Sequence, residues 1–290
     1  MKTMKLLIMV FALSVFSTLA YAQDDYSFYL QKARQRLAEG DCSRAETSYN
    51  TYKEMTQKTD KDIERFIREC KEGSQSGNSA EVQLAEGKYI GEIANGKPHG
   101  KGKMLFKDDD PRVSYEGDWV NGNQSGFGIM IWNDGTKYDG QWVDGHRTGQ
   151  GTCYWPSGNK YVGQWTDGNR TGRGTFYFKD GDRYEGDWEN GNKHGQGTYY
   201  WTNGDKYVGQ WTDDHRTGRG TYYFKNGDRY EGDWKDDNRH GQGTYYCADG
   251  NTDRGHFVND KREGEFTRTK ANGKVLKAKY KNGKIIEDWH

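Results

Sequence analysis

Six consecutive segments of 23 residues, opened by Tyr115, Tyr138, Tyr161, Tyr184, Tyr207 and Tyr230, follow one another without insertion. A strict period of this kind marks a repeat architecture, in which each segment buries its apolar face only by stacking on a neighbour. Counting from the Tyr, position 3 is Gly and position 5 is Trp in all six, from Gly117 and Trp119 to Gly232 and Trp234. Gly recurs at positions 12 and 14, as in Gly149 with Gly151. Asp134-Gly135, Ser157-Gly158 and Asn203-Gly204 close their units with dipeptides that favour the φ > 0 turns matched to strand twist. Each unit therefore reads as a β-hairpin feeding directly into the next.

The composition fits such a stack and little else. Leu, Ile, Val and Phe together number only 39 of 290 residues, which excludes a large aliphatic core and with it an ordinary doubly wound or barrel enzyme. Mean hydropathy is -1.19, a value that alone would suggest disorder. Against that, the formal net charge is zero, and 10 Trp with 21 Tyr supply apolar area that an aliphatic count misses. Positions 16 and 18 are mostly aromatic, for example Phe176 with Phe178 and Tyr199 with Trp201. These share one strand face and are expected to pack with the Tyr and Trp of the first strands.

The pattern YxGxW, then GxG seven residues beyond the Trp, then the closing turn Gly, resembles the MORN (membrane occupation and recognition nexus) repeat over residues 115–252. A degenerate unit within 87–114 precedes it, carrying Tyr89, Gly91, Gly96, Gly100 and Gly102 with three extra residues including Pro111. Residues 253–290 hold another degenerate unit, with Asp253 for the Tyr and Phe257 for the Trp, and a capping hairpin. The resemblance implies a mainly β fold, an elongated solenoid of hairpins forming a single twisted antiparallel sheet. At two strand spacings per hairpin, about 10 Å, the array is expected to be a rod on the order of 70 to 80 Å long. MORN repeats occur beside catalytic domains such as phosphatidylinositol phosphate kinases, but no segment here is left over to be a kinase.

Residues 1–22 read as a signal peptide: Lys2 and Lys5, an apolar run from Leu6 to Phe16, and Ala20-Tyr21-Ala22 before the cleavage point. No Cys follows that point, and no later stretch is apolar enough for a membrane span. The expected location is therefore the periplasm or the outside of a bacterial cell. Residues 23–72 carry apolar residues at helical spacing (Leu30, Ala33, Leu37; Ala45, Tyr49, Tyr52; Ile63, Phe66, Ile67) and suggest a small helical hairpin-like domain. The spacing of Gly40, Asp41, Ala45 and Tyr49 resembles the middle of a tetratricopeptide unit. Export makes a Cys42–Cys70 disulfide chemically reasonable, with two reduced thiols as the alternative. Residues 73–86 read as a linker.

Two surfaces stand out. Position 17 is Tyr154, Tyr177, Tyr200, Tyr223 and Tyr246, which alternation turns away from the Trp row. Such a row, edged with Arg and Lys, could bind an extended partner, or could simply pave a sheet with strand-forming residues. Residues 261–284 contain nine basic and two acidic residues, with Lys277, Lys279 and Lys281 on one side of a strand. They suit contact with an anionic surface, or protection of a sheet edge. Arg173 and Arg219 beside the acids of the next unit suggest a cross-strand charge ladder. His194 and His240 lack a second ligand at zinc spacing, no phosphate loop is present, and no Ser-His-Asp or Cys-His set stands apart from the repeats. The expected function is a non-catalytic exported scaffold or spacer for a protein partner, with an anionic lipid or glycan binder as the alternative. Neither cofactor, metal nor nucleic acid is expected.

Overall fold

The computed structural model describes Ala33, residues 42–56, 59, 61, 63–65, 67–68 and 79–290. The predicted signal peptide, Cys70 and the Cys42 side chain lie outside the described residues. The chain divides into two compact units, through Met130 and from Ile131 onward.

In the first unit, helix α1 (Cys42–Thr56) places Ala45, Ser48 and Tyr49 in a small core with Ala33, Ile63 and Ile67. Tyr52 stacks beside Tyr49, and Lys53 pairs with Glu64 at 2.8 Å. Strands β1 (Ala80–Leu84), β2 (Gly87–Ala94), β3 (Lys97–Phe106) and β4 (Arg112–Val120) pair antiparallel in sequence order. Strand β1 lies inside the segment read from sequence as linker. Its alternating pattern registers Val82 opposite Tyr89 and so adds a strand to the first repeat. Strand β5 (Asn123–Trp132) follows.

The second unit is a meander. It comprises β6 (Lys137–Val143), β7 (His146–Tyr154), β8 (Lys160–Thr166), β9 (Asn169–Tyr177), β10 (Arg183–Glu189), β11 (Asn192–Tyr200) and β12 (Lys206–Thr212). Then come β13 (His215–Tyr223), β14 (Arg229–Lys235), β15 (Asn238–Tyr246), β16 (Thr252–Val258), β17 (Lys261–Thr269), β18 (Val275–Lys281) and β19 (Lys284–Glu287). From β6 to β19 each strand pairs antiparallel with the next.

Two turn types alternate. Within a hairpin, two residues with φ > 0 form the tight turn that matches strand twist, as at Asp167 (φ 47°) and Gly168 (φ 79°). Between hairpins, the Trp155 N–H donates to the Asn159 carbonyl and the Gly158 N–H to the Trp155 carbonyl, a bond pair repeated at each later closing turn.

The opening Tyr explains the paired glycines. Gly163 and Gly174 face each other across β8 and β9, and Tyr161 lies over both. A Cβ on Gly174 would stand 2.2 Å from the Tyr161 hydroxyl, which donates to the Gln164 carbonyl at 3.1 Å. The pairing register shifts after Gly163, and the Arg173 N–H at this bulge donates to the Gln164 side chain. Asp187, Gln210 and Asp233 accept in the same way in later hairpins, so two of the repeat acids are bulge acceptors.

Trp joins neighbouring hairpins. Trp165 meets Tyr161 of its own hairpin edge-on at 5.2 Å and Tyr138 of the preceding one at 5.3 Å, and its indole N–H donates to the Gly151 carbonyl. The same contacts recur at Trp188, Trp211 and Trp234.

At the C-terminal end Asp253 replaces the Tyr. Phe266, reaching over Gly255 from the opposite strand, takes the ring's place and meets Phe257 at 5.3 Å. Asp253 is 1 % exposed and accepts from both Arg262 and Arg268. Burial pushes its carboxyl upward, but the Arg268 hydrogen bond and the two guanidinium charges outweigh burial and hold it below the ordinary range.

Gly174→Ala should therefore destabilise the second unit by about 2 kcal/mol, because the new methyl displaces a ring fixed on both sides. Urea unfolding together with hydrogen exchange in β8 and β9 measures the loss, and unchanged protection there would show the ring to be free. Asp253→Asn should cost about 2 kcal/mol at neutral pH, less than a fully buried pair because the guanidiniums keep 28 and 30 % exposure. Since the folded carboxyl is depressed, its contribution is complete above the unfolded value near 3.9 and is lost as pH falls through the folded value. Exchange protection of β16 to β18 should thus decline below about pH 4 in the wild type and show less acid dependence in the variant.

Candidate functional site

Strand alternation sorts the second unit into two faces. One carries the Tyr and Trp rows together with positions 10, 16 and 18; the other carries positions 15 and 17.

On the second face, the five Tyr of position 17 each register with a basic residue of the preceding strand in the same hairpin, which lies near the ring: Lys137 at Tyr154, Lys160 at Tyr177, Arg183 at Tyr200, Lys206 at Tyr223 and Arg229 at Tyr246. From Tyr177 onward the row has a period of two hairpins. Tyr154, Tyr177 and Tyr223, beside Lys, are 45, 37 and 38 % exposed. Tyr200 and Tyr246 lie under flat guanidiniums and are half-buried. Those Arg side chains in turn pair with Glu185 and Glu231. The predicted charge ladder is present, with Arg173 on Asp187 at 2.9 Å and Arg219 on Asp233 at 3.3 Å. These are exposed pairs of small energetic weight.

The first face is more open than its sequence suggested. Trp155, Phe176, Phe178, Tyr199, Trp201, Tyr222, Phe224 and Tyr245 form a continuous ribbon of ring contacts at 4.6 to 5.6 Å, most of it half-buried. Tyr199, Tyr222 and Tyr245 donate to Asp182, Asp205 and Asp228, and burial together with these bonds pushes their hydroxyls upward. Cys153 and Cys247 stand at packing positions of this face; Cys153 is buried, with burial pushing its thiol up to about 11, Cys247 is half-buried, and both are free. Among the described residues no second layer lies over the rings of position 18, which is why a row expected to be packing is partly a surface.

Position 10 supplies a feature that sequence reasoning missed. Arg147, Arg170, Lys193, Arg216, Arg239 and Arg262 each lie over an aromatic ring of the next hairpin, the first four over Trp at 4.5 to 4.7 Å. The signal was a basic residue at the same place in consecutive units. Burial holds Arg170 and Lys193 below their usual ranges. Where Arg147 and Arg170 approach Trp155, Trp165 and Phe176, a groove of about 440 Å³ opens, lined also by Ser157, Asn159 and Asn169.

Lys277, Lys279 and Lys281 lie along β18 and are exposed, but Lys279 pairs with Glu287 at 3.3 Å. His194 stands 3.3 Å from Glu189, and among the described residues no group of His, Cys, Asp or Glu is placed to hold a metal ion. No described helix is long and apolar enough to cross a membrane.

MORN repeats match residues 89–110, 115–137, 138–160, 161–183, 184–206, 207–229, 230–252 and 254–275, including both degenerate units. No curated protein matches the chain. Similar solved structures include the TCP domain of Drosophila melanogaster SAS-4 (dCPAP) in complex with a proline-rich motif of Ana2 (dSTIL), at 15 % identity and a TM-score of 0.35, covering 53 % of this chain and 84 % of that one. The wild-type TCP10 domain of Danio rerio CPAP is similar at 14 % identity and a TM-score of 0.28, covering 66 and 95 %. Repeats of this type are typical of non-catalytic proteins that bind other molecules, proteins or lipids among them. With eight units over most of its length, the chain belongs to the MORN repeat family.

Proposed function

We propose that this protein is an exported, non-catalytic scaffold whose Tyr row engages an extended protein partner. The observation that carries this is the row itself: three exposed Tyr rings, each held beside a Lys, standing on a sheet whose shape is fixed from its other face. Rings already ordered lose little further freedom on binding, and a Lys ammonium next to a ring can exchange that contact for an acceptor on the partner. The two-hairpin period places the Tyr177 and Tyr223 sites about 19 Å apart, four strand spacings, a distance that favours a partner extended along the array. Export is supported by Lys2 and Lys5, the apolar run and the Ala20-Tyr21-Ala22 site. Attachment to an anionic surface through Lys277, Lys279 and Lys281 ranks behind it, since Glu287 offsets part of that charge.

A chemical crosslinking capture from the native envelope tests the assignment. The wild type should retain a discrete protein that the Tyr154→Thr, Tyr177→Thr, Tyr223→Thr variant loses by tenfold or more, Thr being chosen to keep strand propensity. Capture that survives this change but falls when Lys277, Lys279 and Lys281 become Gln would move the contact to the C-terminal strand.

A further inference from the structure

We propose that the groove at Arg147 and Arg170 binds a linear anionic polysaccharide, one carboxylate to each guanidinium. The site goes beyond the Tyr row and lies on the opposite face of the sheet.

The later hairpins show what these arginines are built to hold. The Asp237 carboxylate, from the next hairpin's turn, accepts from the Arg216 backbone N–H and Nε, both at 3.0 Å. Asp260 accepts from the corresponding groups of Arg239 at 3.1 and 2.8 Å, and Asp214 from the Lys193 backbone N–H at 3.0 Å. A backbone N–H and a guanidinium edge thus form a carboxylate cradle, which the chain fills with its own Asp. At the equivalent turn position, Arg147 and Arg170 meet Gly168 and Gly191. These glycines provide the carbonyl that the Arg Nη2 bonds, but no carboxylate. No described acidic group forms an ion pair with either arginine, although four of the six position-10 cations have one. The turn itself is unchanged, with φ of 79° and 85° at the two glycines against 67° and 65° at Asp237 and Asp260. A Cβ at Gly168 or Gly191 would come no closer than 3.6 Å to the neighbouring guanidinium, so an Asp fits there and the cradle is open by composition alone.

The lining and the spacing select the ligand. The groove presents aromatic rings, a hydroxyl and two amides beside its cations, and neither a carboxylate nor an aliphatic side chain. Rings suit the flat apolar faces of sugars, and the amides and hydroxyl suit their OH groups. The two cradles belong to successive hairpins, about 9.6 Å apart. That is close to the advance of one disaccharide in an extended glycan, so a chain with one uronate per disaccharide can engage both. A β-extended acidic peptide fits poorly, since its residues i and i+3, about 10 Å apart, point to opposite sides. Acidic peptides in the polyproline II form repeat at about 9.3 Å but bring no sugar face to Trp155.

Calorimetry and Trp fluorescence on the full chain test this with a hyaluronan decasaccharide, which carries one carboxylate per disaccharide. Chitin oligomers and poly-Glu of equal length are the comparisons. Hyaluronan should bind and perturb the Trp emission, with at least tenfold weaker binding in Gly168→Asp/Gly191→Asp, a variant that copies the later turns and so keeps the fold. Asp237→Gly/Asp260→Gly, which opens two more cradles, should strengthen binding severalfold. The proposal is overturned if hyaluronan does not bind, if the two Asp replacements leave its affinity unchanged, if chitin binds equally well, or if poly-Glu binds more tightly, which would assign an acidic peptide instead. The Tyr154, Tyr177, Tyr223 variant should bind hyaluronan normally, so failure on either face is read separately.

Discussion

A Tyr ring lying across two facing glycines, with a Trp wedged between it and the next such ring, is the contact on which the rest of the second unit depends. The glycines are required because the phenol occupies the space of both Cβ atoms, as at Gly163 and Gly174 under Tyr161. The Trp is required because it joins two hairpins, through paired edge contacts and an indole bond to the preceding Gly carbonyl. Each edge contact is worth about 0.5 to 1.5 kcal/mol beyond the area it buries. Stability therefore accumulates from neighbour to neighbour, and a chain with very few aliphatic residues folds without a central core.

A contact that propagates needs something to end it. The arrangement beginning at Asp253 breaks the Tyr row with a buried carboxylate between two guanidiniums, then hands the ring position to Phe266 on the other strand. The last strands carry smaller and more exposed side chains, with Ile285 and Ile286 near half exposure and Lys284 beside them. Basic residues in these strands, such as Lys279, are in part paired with local acids.

Much of this was legible in the residues because the period is strict. Tyr, Gly, Trp and the closing turns fall at fixed positions, and those positions impose strand, bulge and turn without reference to distant parts of the chain. What was not legible depends on contacts between hairpins. Arg147 looks like a surface charge until the next hairpin brings Trp165 beneath it. Asp182 looks like a turn residue until Tyr199, 17 positions on, donates to it. The ribbon at position 18 was read as packing because a sequence does not say whether a face has a covering layer. Strand β1 was read as linker because five residues of alternating pattern following a polar stretch give too little signal without their partner Tyr89 in view.

The same contrast separates what the repeat must keep from what it can vary. A Cβ at position 3 or 14 would meet a ring or a backbone atom less than 3 Å away, so these glycines are fixed by packing. Position 8 meets no such limit: Gly168, Gly191, Asp214 and Asp237 all hold the same left-handed turn. Gly and Asp are both tolerated in that conformation, one for want of a Cβ and the other through its short polar side chain. The two residues nevertheless leave opposite surfaces, since Asp closes the charge of the preceding hairpin's cation and Gly leaves it available. One residue per hairpin can thus set the electrostatics of the aromatic face while the packing beneath it stays the same.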